Sequence, residues 1–276
     1  MQDAIRAFGV KEFTQVSTEA ERAVEEIRLV GYTILTGVLA DAELPSVRSK
    51  VDDIYEAQLA EVGGPERLAT INDLHTARAL LAYDEYFLRV ATAPRVLAIV
   101  EKLLGDYFVL MLQNGIINVP DTGNEQNAGY WHRDLNYQHF ISSRPLSISA
   151  LFCVDEFSEA TGGTYLLPAS HKTEAFPSDE FIRKHEQVVN APAGAVIVFD
   201  SMLYHRSGHN TSGRARRALN HMYTLPLIKQ QISFPKILKG RFSDDPFLGK
   251  FLGYESESEE SVVEFREKRL GRLAAS

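Results

Sequence analysis

The sequence lacks the features on which several classes of protein depend. Its 276 residues contain one cysteine, Cys153, so neither an internal disulfide nor a thiolate metal cage can form. No apolar run approaches the roughly 20 residues of a membrane-spanning helix, and the opening MQDAIRAFGVKEF lacks the apolar region of a secretory signal peptide. We therefore expect a cytoplasmic protein that makes no contact with a membrane.

Basic residues are also in short supply. The chain has 29 lysines and arginines against 37 aspartates and glutamates, which gives a formal net charge of −8. Binding to nucleic acid or anionic lipid needs a clustered basic surface, so neither partner is expected. Apolar residues make up 45% of the chain, as in an ordinary globular protein, and no repeat or linker divides it. We expect a single domain over residues 1–276 with a small-molecule partner; the sequence does not indicate its oligomeric state.

The first third of the chain, about residues 1–105, has the pattern of helices. STEAERAVEEIRLVG begins with a Ser-Thr cap signal and first-turn glutamates, and it stops at a glycine. DAELPSVRSKVDDIYEAQLAEVGG predicts a second helix from Asp41 to the Gly63-Gly64 pair. DEYFLRVATAPRVLAIVEKLLGD predicts further helix, interrupted near Pro94. Between the first two helices, YTILTGVL has the composition of a strand.

From about residue 106 to residue 230 the periodicity changes to that of strands. Short segments rich in β-branched and aromatic residues are separated by Gly, Pro, Asn and Asp. They are YFVLMLQNGIINV, PLSISALFCVDEF, GGTYLLPAS, GAVIVFDSMLYH and ALNHMYTLPLI. Short strands with long irregular connections predict a β-sandwich or jelly roll flanked by the helices. A tail over about residues 231–276 returns to helix.

One short motif, His132-Arg133-Asp134 in AGYWHRDLNYQHF, has the chemistry of half a metal site. By itself it carries little weight, because the histidine and acidic content would give about one His-x-Asp/Glu triplet by chance. On a strand, however, side chains at i and i+2 point to the same face, so His132 and Asp134 would converge while Arg133 points away. Together with a distant second histidine they would form the facial triad of non-haem Fe(II) enzymes.

The second histidine must come from another part of the predicted barrel. VIVFDSMLYHRSGHNTSGRARRALNHMY offers His205, His209 and His221. His205 is predicted to end an apolar strand, His209 lies in a Gly/Asn/Ser turn, and His221 lies in the next strand. A ligand needs a rigid element that fixes the orientation of its ring, which favours His205.

Taken in order, these segments resemble the phytanoyl-CoA dioxygenase family of Fe(II)/2-oxoglutarate oxygenases. WHRD resembles the family's proximal His-x-Asp motif, and DEFSEATGGTYLLPASHK resembles its acidic turn, Gly-Gly pair and Pro-x-Ser-His segment. GAVIVFDSMLYHRSGHNTSGRARRAL resembles the distal histidine block with its Asn-x-Ser and arginine, and FLGKFLGY resembles a common tail. The resemblance covers about residues 105–255. It implies a mainly β fold with flanking helices, built on a double-stranded β-helix, that is, a jelly-roll, cupin-like core.

The resemblance implies His132, Asp134 and His205 as ligands of Fe(II), with 2-oxoglutarate and O₂ as cosubstrates. Arg216, eleven positions after His205, matches the arginine that binds the far carboxylate of 2-oxoglutarate. The planar guanidinium suits that role, because it can donate two parallel hydrogen bonds to a carboxylate. If this segment is a strand, Arg217 points to the opposite face, so we interpret it as a surface charge.

Further contacts are predicted around these residues. Ser207 matches a hydroxyl that can assist the same carboxylate, and Gln113, on the strand that leads to the triplet, is a candidate contact to cosubstrate or substrate. The candidate substrate contacts are Asn136, Tyr137, Phe140 and Tyr204.

The presence of Asp134 indicates the type of reaction. Relatives that halogenate carbon replace this carboxylate with a small residue, which frees a coordination position for chloride. The resemblance therefore implies hydroxylation or a related oxidation of a small organic metabolite, with release of succinate and CO₂. Two alternatives stay open, namely a non-enzymatic small-molecule sensor on the same fold and a different metal-dependent enzyme on a cupin-like barrel.

Overall fold

The computed structural model describes residues 5–121, 129–136 and 139–275. In these ranges the chain forms nine α-helices, five of which begin before residue 105. They are α1 (Glu19–Val30), α2 (Leu44–Val62), α3 (Pro65–Thr70), α4 (Tyr86–Ala91), α5 (Pro94–Leu104), α6 (Asp179–His185), α7 (Phe234–Leu238), α8 (Pro246–Phe251) and α9 (Val262–Ala275).

Nine strands in the described residues form two antiparallel sheets. They are β1 (Tyr32–Leu35), β2 (Thr76–Arg78), β3 (Val109–Asn118), β4 (Ser147–Cys153), β5 (Thr164–Leu166), β6 (Gln187–Val188), β7 (Val196–Asp200), β8 (His205–Ser207) and β9 (Arg216–Thr224). The larger sheet has the order β1-β7-β4-β9-β3-β2, and the smaller has the order β6-β5-β8. This arrangement of antiparallel sheets with flanking helices confirms the predicted fold class.

The larger sheet is covered on both faces. One face packs against the helices through a cluster that includes Ile27 of α1, Val96 of α5 and Phe152 of β4. The other face packs against the smaller sheet, where Leu151 of β4 meets Leu166 of β5. Every residue of β4 and β7 is buried, so the sequences of these strands are mostly apolar on both faces, and Ser147 and Ser149 of β4 are buried as well.

Helix α1 begins and ends where the sequence predicts. The Thr18 side chain accepts a hydrogen bond from the Glu21 N–H, and the Glu21 carboxylate accepts one from the Thr18 N–H, which completes a capping box. Gly31 ends the helix in the left-handed region. Helix α2 begins at Leu44, later than the predicted Asp41, and the break near Pro94 separates α4 from α5 as expected.

The front of the chain also supplies strands. Strands β1 and β2, the first two along the chain, form the two edges of the larger sheet by pairing with β7 and β3. The segment YTILTGVL was predicted as a strand, whereas the three residues of β2 are too few to show a pattern in the sequence. The N-terminal third therefore completes the sheet instead of only covering it.

The predicted strand GAVIVFDSMLYH is two strands in different sheets. Strand β7 ends at Asp200, whose carboxylate accepts a hydrogen bond from the Met202 N–H at 2.9 Å, an Asx turn that ends the strand. The chain then crosses to the smaller sheet, where β8 begins at His205. The prediction that His205 ends a strand is wrong, because the turn at Asp200 comes first.

The part of the chain after residue 231 contains α7, α8 and α9, joined by turns. Helix α8 is capped by Asp245, whose carboxylate accepts hydrogen bonds from the N–H groups of Phe247 and Leu248. Within the described ranges, no helix is both long enough and apolar enough to cross a membrane.

We expect Gly31→Ala to destabilise the fold strongly. The backbone φ of 98° at Gly31 disfavours any residue with a Cβ by roughly 1–2 kcal/mol. An added Cβ would lie 2.5 Å from Leu203 Cδ1 and 2.8 Å from His171 Nδ1, so these buried side chains would have to move. Together we expect a loss of about 2–4 kcal/mol in the free energy of unfolding, measured by denaturant titration.

Gly63→Ala is the matched control. Gly63 ends α2 with a φ of 86°, but an added Cβ would meet only the Arg67 side chain, at 3.5 Å or more. This variant should lose about 1 kcal/mol, from backbone strain alone. Equal losses in the two variants would show that the packing of Leu203 and His171 around Gly31 is not tight.

Candidate functional site

Three potential metal ligands come together where β8 meets the segment 129–136. His132 and His205 pair as an isolated antiparallel bridge, in which each N–H donates to the other's carbonyl at 2.9 and 3.0 Å. The Asp134 N–H donates to the Ser201 carbonyl at 3.0 Å. These three backbone hydrogen bonds fix the short segment that contains the triplet against the start of β8 and the connection that precedes it.

The side chains of these residues converge. Asp134 Oδ1 lies 3.8 Å from His132 Nε2 and 3.5 Å from His205 Nε2. One ligand atom from each residue lies within 4.8 Å of the other two, and no other trio of His, Cys, Asp or Glu in the described parts of the chain does so. Arg133 points away, as predicted, and its Nε donates to the Met202 carbonyl at 2.8 Å.

Both imidazole rings are oriented by backbone carbonyls. His132 Nδ1 lies 2.8 Å from the Tyr130 carbonyl oxygen, and His205 Nδ1 lies 3.0 Å from the Leu203 carbonyl oxygen. Because a carbonyl oxygen only accepts hydrogen bonds, each Nδ1 carries the proton. Each Nε2 therefore faces Asp134, and its lone pair becomes available to a metal ion when that nitrogen carries no proton.

Asp134 is held as a carboxylate. Burial alone would raise its pKa, but the charge and hydrogen bond of His205, the charge of His132 and a hydrogen bond from Ser149 lower the pKa to about 2. Its oxygens have different partners, since Oδ1 faces the two imidazoles and Oδ2 accepts from the Ser149 hydroxyl at 2.5 Å. In the absence of a metal, burial would lower the pKa of His205 but Asp134 raises it, so a metal ion would displace the proton that His205 shares with Asp134. The two imidazoles and the carboxylate then form the 2-His-1-carboxylate set that binds Fe(II) and leaves positions open.

The other two histidines considered from the sequence lie elsewhere. His209 Nδ1 lies 3.1 Å from Asp121 Oδ2, and the ring is half-exposed. His221 is fully buried on the helix-facing side of β9 against Phe152, and burial lowers its pKa to about 3. Of the three candidates, His205 alone reaches His132 and Asp134.

Arg216 is a buried cation on the face of β9 that is turned toward the smaller sheet. Its side chain is 3% exposed and stacks on the Phe157 ring at 4.2 Å, while Nη2 donates to the Gly162 carbonyl at 2.5 Å. Burial lowers its pKa to about 10, so it remains charged near neutral pH. It makes no ion pair with any of the described residues, and a buried charge normally requires a counter-charge.

Arg216 also lines a cavity of about 570 Å³. Ser207 lies in the same wall, and its Oγ accepts a hydrogen bond from the Gly129 N–H at 3.0 Å. The structure thus brings together Arg216 and Ser207, which were predicted to contact the cosubstrate. Arg217 points to the opposite face, as predicted, but it is not a free surface charge, because its guanidinium binds the Asp52 carboxylate of α2 at 2.7 and 2.8 Å.

The prediction for Gln113 is wrong. Gln113 pairs with His221 in the larger sheet, so its side chain points toward the helices and away from Arg216. Its amide oxygen accepts from the Leu81 N–H at 2.7 Å, and its amide nitrogen donates to the Phe87 carbonyl at 2.9 Å. The side chain therefore anchors the helical front and is not available to a ligand.

The predicted substrate contacts have different outcomes. Tyr204 does not face the ligand cluster, because its ring packs between the Arg133 guanidinium and Phe176 in a separate buried cluster. That prediction is wrong because side chains alternate along an extended chain, so the residue next to His205 points to the opposite side. Asn136 and Phe140 are exposed and stay predictions, and Tyr137 lies outside the described residues.

Sequence reasoning missed the buried serines beside Asp134. Ser147 and Ser149 lie on β4, and Ser201 follows β7; all three are almost completely buried. A signal was present in SISALF, where two serines at i and i+2 interrupt an apolar strand and must share one face. Residues that line the cavity from the front, among them His75, had no such signal.

Comparison with known sequences gives a consistent result. The sequence profile of the Phytanoyl-CoA dioxygenase (PhyH) family matches residues 27–218. An uncharacterized protein of Mycobacterium tuberculosis (strain ATCC 25618 / H37Rv) is 34% identical over 229 residues, which cover 80% of this chain and 81% of that protein. The dioxygenase olcK of Penicillium canescens is 28% identical over 255 residues, covering 84% of this chain and 80% of olcK.

The fold is similar to that of solved oxygenases. The crystal structure of EctD from S. alaskensis with 2-oxoglutarate and 5-hydroxyectoine superimposes with a TM-score of 0.63, at 20% sequence identity, over 77% of this chain and 79% of EctD. At that identity the likeness concerns the fold, whereas the family profile spans most of the chain. The protein therefore belongs to the phytanoyl-CoA dioxygenase family of Fe(II)- and 2-oxoglutarate-dependent oxygenases.

Proposed function

We propose that the chain acts as one oxygenase domain that hydroxylates a small organic metabolite, with Fe(II) held by His132, Asp134 and His205. The observation that supports this most directly is the buried cation Arg216, which has no counter-charge among the described residues and lines a cavity. A dicarboxylic cosubstrate would supply that counter-charge. A hydrolase on the same barrel has no comparable need for a buried carboxylate partner, and a sensor has no need for an iron site with open positions.

Each residue has a separate task in this proposal. With iron and 2-oxoglutarate bound, the site gains the oxidising power for C–H hydroxylation, and the 2-oxoglutarate is converted to succinate and CO₂. His132 and His205 present their Nε2 atoms because backbone carbonyls hold the protons on Nδ1. Arg216 binds the far carboxylate of 2-oxoglutarate, assisted by Ser207, so the cosubstrate has one orientation in the barrel.

The cavity also indicates the class of substrate. Its volume of about 570 Å³ is within the range of small-molecule sites. Apart from Arg216, the lining side chains that belong to the described residues are uncharged; those with polar groups are Asn72, His75, Thr76, Asn118, Tyr130 and Ser207. Burial lowers the pKa of His75, so its imidazole is neutral near pH 7. Because 2-oxoglutarate would neutralise Arg216, we propose a substrate that carries hydroxyl, carbonyl or amide groups and no phosphates.

The activity is tested by the products of cosubstrate turnover. Purified protein supplied with Fe(II), O₂ and 2-oxoglutarate should form succinate, and chelation of the iron should stop it. A screen of neutral and of phosphate-bearing metabolites should raise succinate formation above the uncoupled background only with neutral compounds. Iron-independent turnover would favour a different metal enzyme, and 2-oxoglutarate binding without turnover across the screen would favour a sensor.

We expect His205→Ala to lose metal binding and Fe(II)-dependent turnover of 2-oxoglutarate, because it removes one of three protein ligands. His209→Ala is the matched control, since His209 lies four positions away and contacts Asp121 at the surface. It should retain most of the activity. Metal titration and succinate assays on both variants decide the assignment, and the reverse pattern would show that His209 is the ligand.

We expect Arg216→Ala to raise the KM for 2-oxoglutarate by roughly 30-fold or more, because losing a partner of a buried charge pair costs about 2–5 kcal/mol. Fe(II) binding should change little, since Arg216 does not touch the ligand cluster. The neighbouring Arg217→Ala is the control. It breaks the ion pair with Asp52 and should lower stability while leaving the KM for 2-oxoglutarate unchanged. If Arg217→Ala alone raised the KM for 2-oxoglutarate, the cosubstrate contact would belong to Arg217, and its assignment to Arg216 would be wrong.

A further inference from the structure

A chain of three buried serine hydroxyls starts at Asp134. The Ser149 hydroxyl donates to Asp134 Oδ2 at 2.5 Å and lies 2.8 Å from the Ser201 hydroxyl. The Ser201 hydroxyl lies 2.9 Å from that of Ser147, which donates to the Tyr223 carbonyl at 2.9 Å. All three serines are at most 1% exposed, so solvent does not compete for these contacts.

The hydroxyl protons of this chain are fewer than its contacts. Four contacts, namely Asp134–Ser149, Ser149–Ser201, Ser201–Ser147 and Ser147–Tyr223, share three hydroxyl protons. Both ends only accept, because one is a carboxylate and the other is a carbonyl. Ser149 therefore donates its proton to Asp134, and Ser147 donates its proton to the Tyr223 carbonyl. Ser201, which lies between them, can donate to one of the two serines at a time. Ser149 is the one donor to Oδ2 among the described residues.

The two oxygens of Asp134 are thereby distinguished. Oδ1 faces His132 Nε2 and His205 Nε2, whereas Oδ2 is occupied by Ser149. We propose that Ser149 is a positioning residue for the metal, which holds Oδ2 so that Asp134 offers the ion one oxygen, Oδ1. This inference rests on the proposed function, because it requires Asp134 to be a metal ligand.

The way in which Asp134 binds the metal determines how many coordination positions remain open on it. A carboxylate that binds through both oxygens occupies one more coordination position than a carboxylate that binds through one. A facial triad works with cosubstrates only if positions remain open for them. The Ser149 hydroxyl keeps Oδ2 away from the metal, and it also prevents the carboxylate from rotating, as partners of metal ligands generally do.

The inference is tested with Co(II), a metal whose visible absorption reports its coordination and which does not require turnover. Metal-free wild-type protein, Ser149→Ala and Asp134→Ala would be titrated with Co(II) against a competing chelator. We expect Ser149→Ala to bind Co(II) about 10- to 100-fold more weakly than the wild type. Its Co(II) absorption spectrum should also change, because Oδ2 becomes free to coordinate. A general loss of stability would not produce that spectral change.

Two further variants separate this contact from the loss of any buried hydroxyl. Ser201→Ala removes a hydroxyl of the same chain that does not touch Asp134, and it should weaken Co(II) binding far less than Ser149→Ala. Thr224→Val is the matched control outside this chain of serine hydroxyls. Its hydroxyl is fully buried in the same sheet and donates to the Leu146 carbonyl, so its removal should leave both affinity and spectrum unchanged.

The outcomes are distinguishable. If Ser149→Ala binds Co(II) as the wild type does, with the same spectrum, while Asp134→Ala loses binding, the role of Ser149 is wrong and the ligand assignment stands. An equal loss in Ser201→Ala and Ser149→Ala also overturns the assignment to a single contact. If Asp134→Ala binds as tightly as the wild type, the proposed metal site is itself wrong.

Discussion

Two backbone hydrogen bonds join His132 to His205, although strands β4, β5, β6 and β7 lie between these residues in the sequence. The segment around His132 belongs to neither sheet, so its position depends on this bridge and on the bond from the Asp134 N–H to the Ser201 carbonyl. Once the backbones are paired, the pleat decides where the side chains go. Residues 132 and 134 face the imidazole of His205, and Arg133 must face the opposite way. The candidate metal centre is in this sense a consequence of strand pairing.

The same rule divides β9 between two functions. Arg216 and Arg217 are consecutive residues of the same type, yet one is a buried cation in the cavity wall and the other is paired with Asp52 of α2. The sequence was sufficient to predict that they face opposite sides, because that follows from any extended strand. The pattern of capped helices and short apolar strands also predicted a β-sandwich or jelly roll flanked by helices, and the family resemblance narrowed this to the double-stranded β-helix.

The sequence does not show the register in which the strands pair with one another. Gln113 lies on the strand that leads toward the triplet, but its face is set by its pairing with His221, and that pairing is not visible in the residues themselves. Tyr204 illustrates the same limit, because its orientation depends on where β7 ends and β8 begins. The break arises from the Asx turn at Asp200 within a run of apolar residues that has no glycine or proline to mark it. The serines beside Asp134 were readable in principle from their spacing, but their partner belongs to a different segment.

Because the larger sheet is buried on both faces, its register has little freedom to vary. A slip of β9 by one residue would place Arg217 in the cavity and Arg216 against α2, and it would also turn Leu219 and Tyr223 away from the helical cluster that they help to form. Such a slip would destabilise the whole core, because buried side chains would become exposed or would face the wrong partners. The packing that stabilises the fold therefore also selects which arginine is presented to a ligand. In β4 the same alternation directs Ser147 and Ser149 toward Asp134 while Ile148 and Phe152 pack against the helices. For the side chains of β4 and β9 that face the site, orientation and core packing are therefore set by the same register.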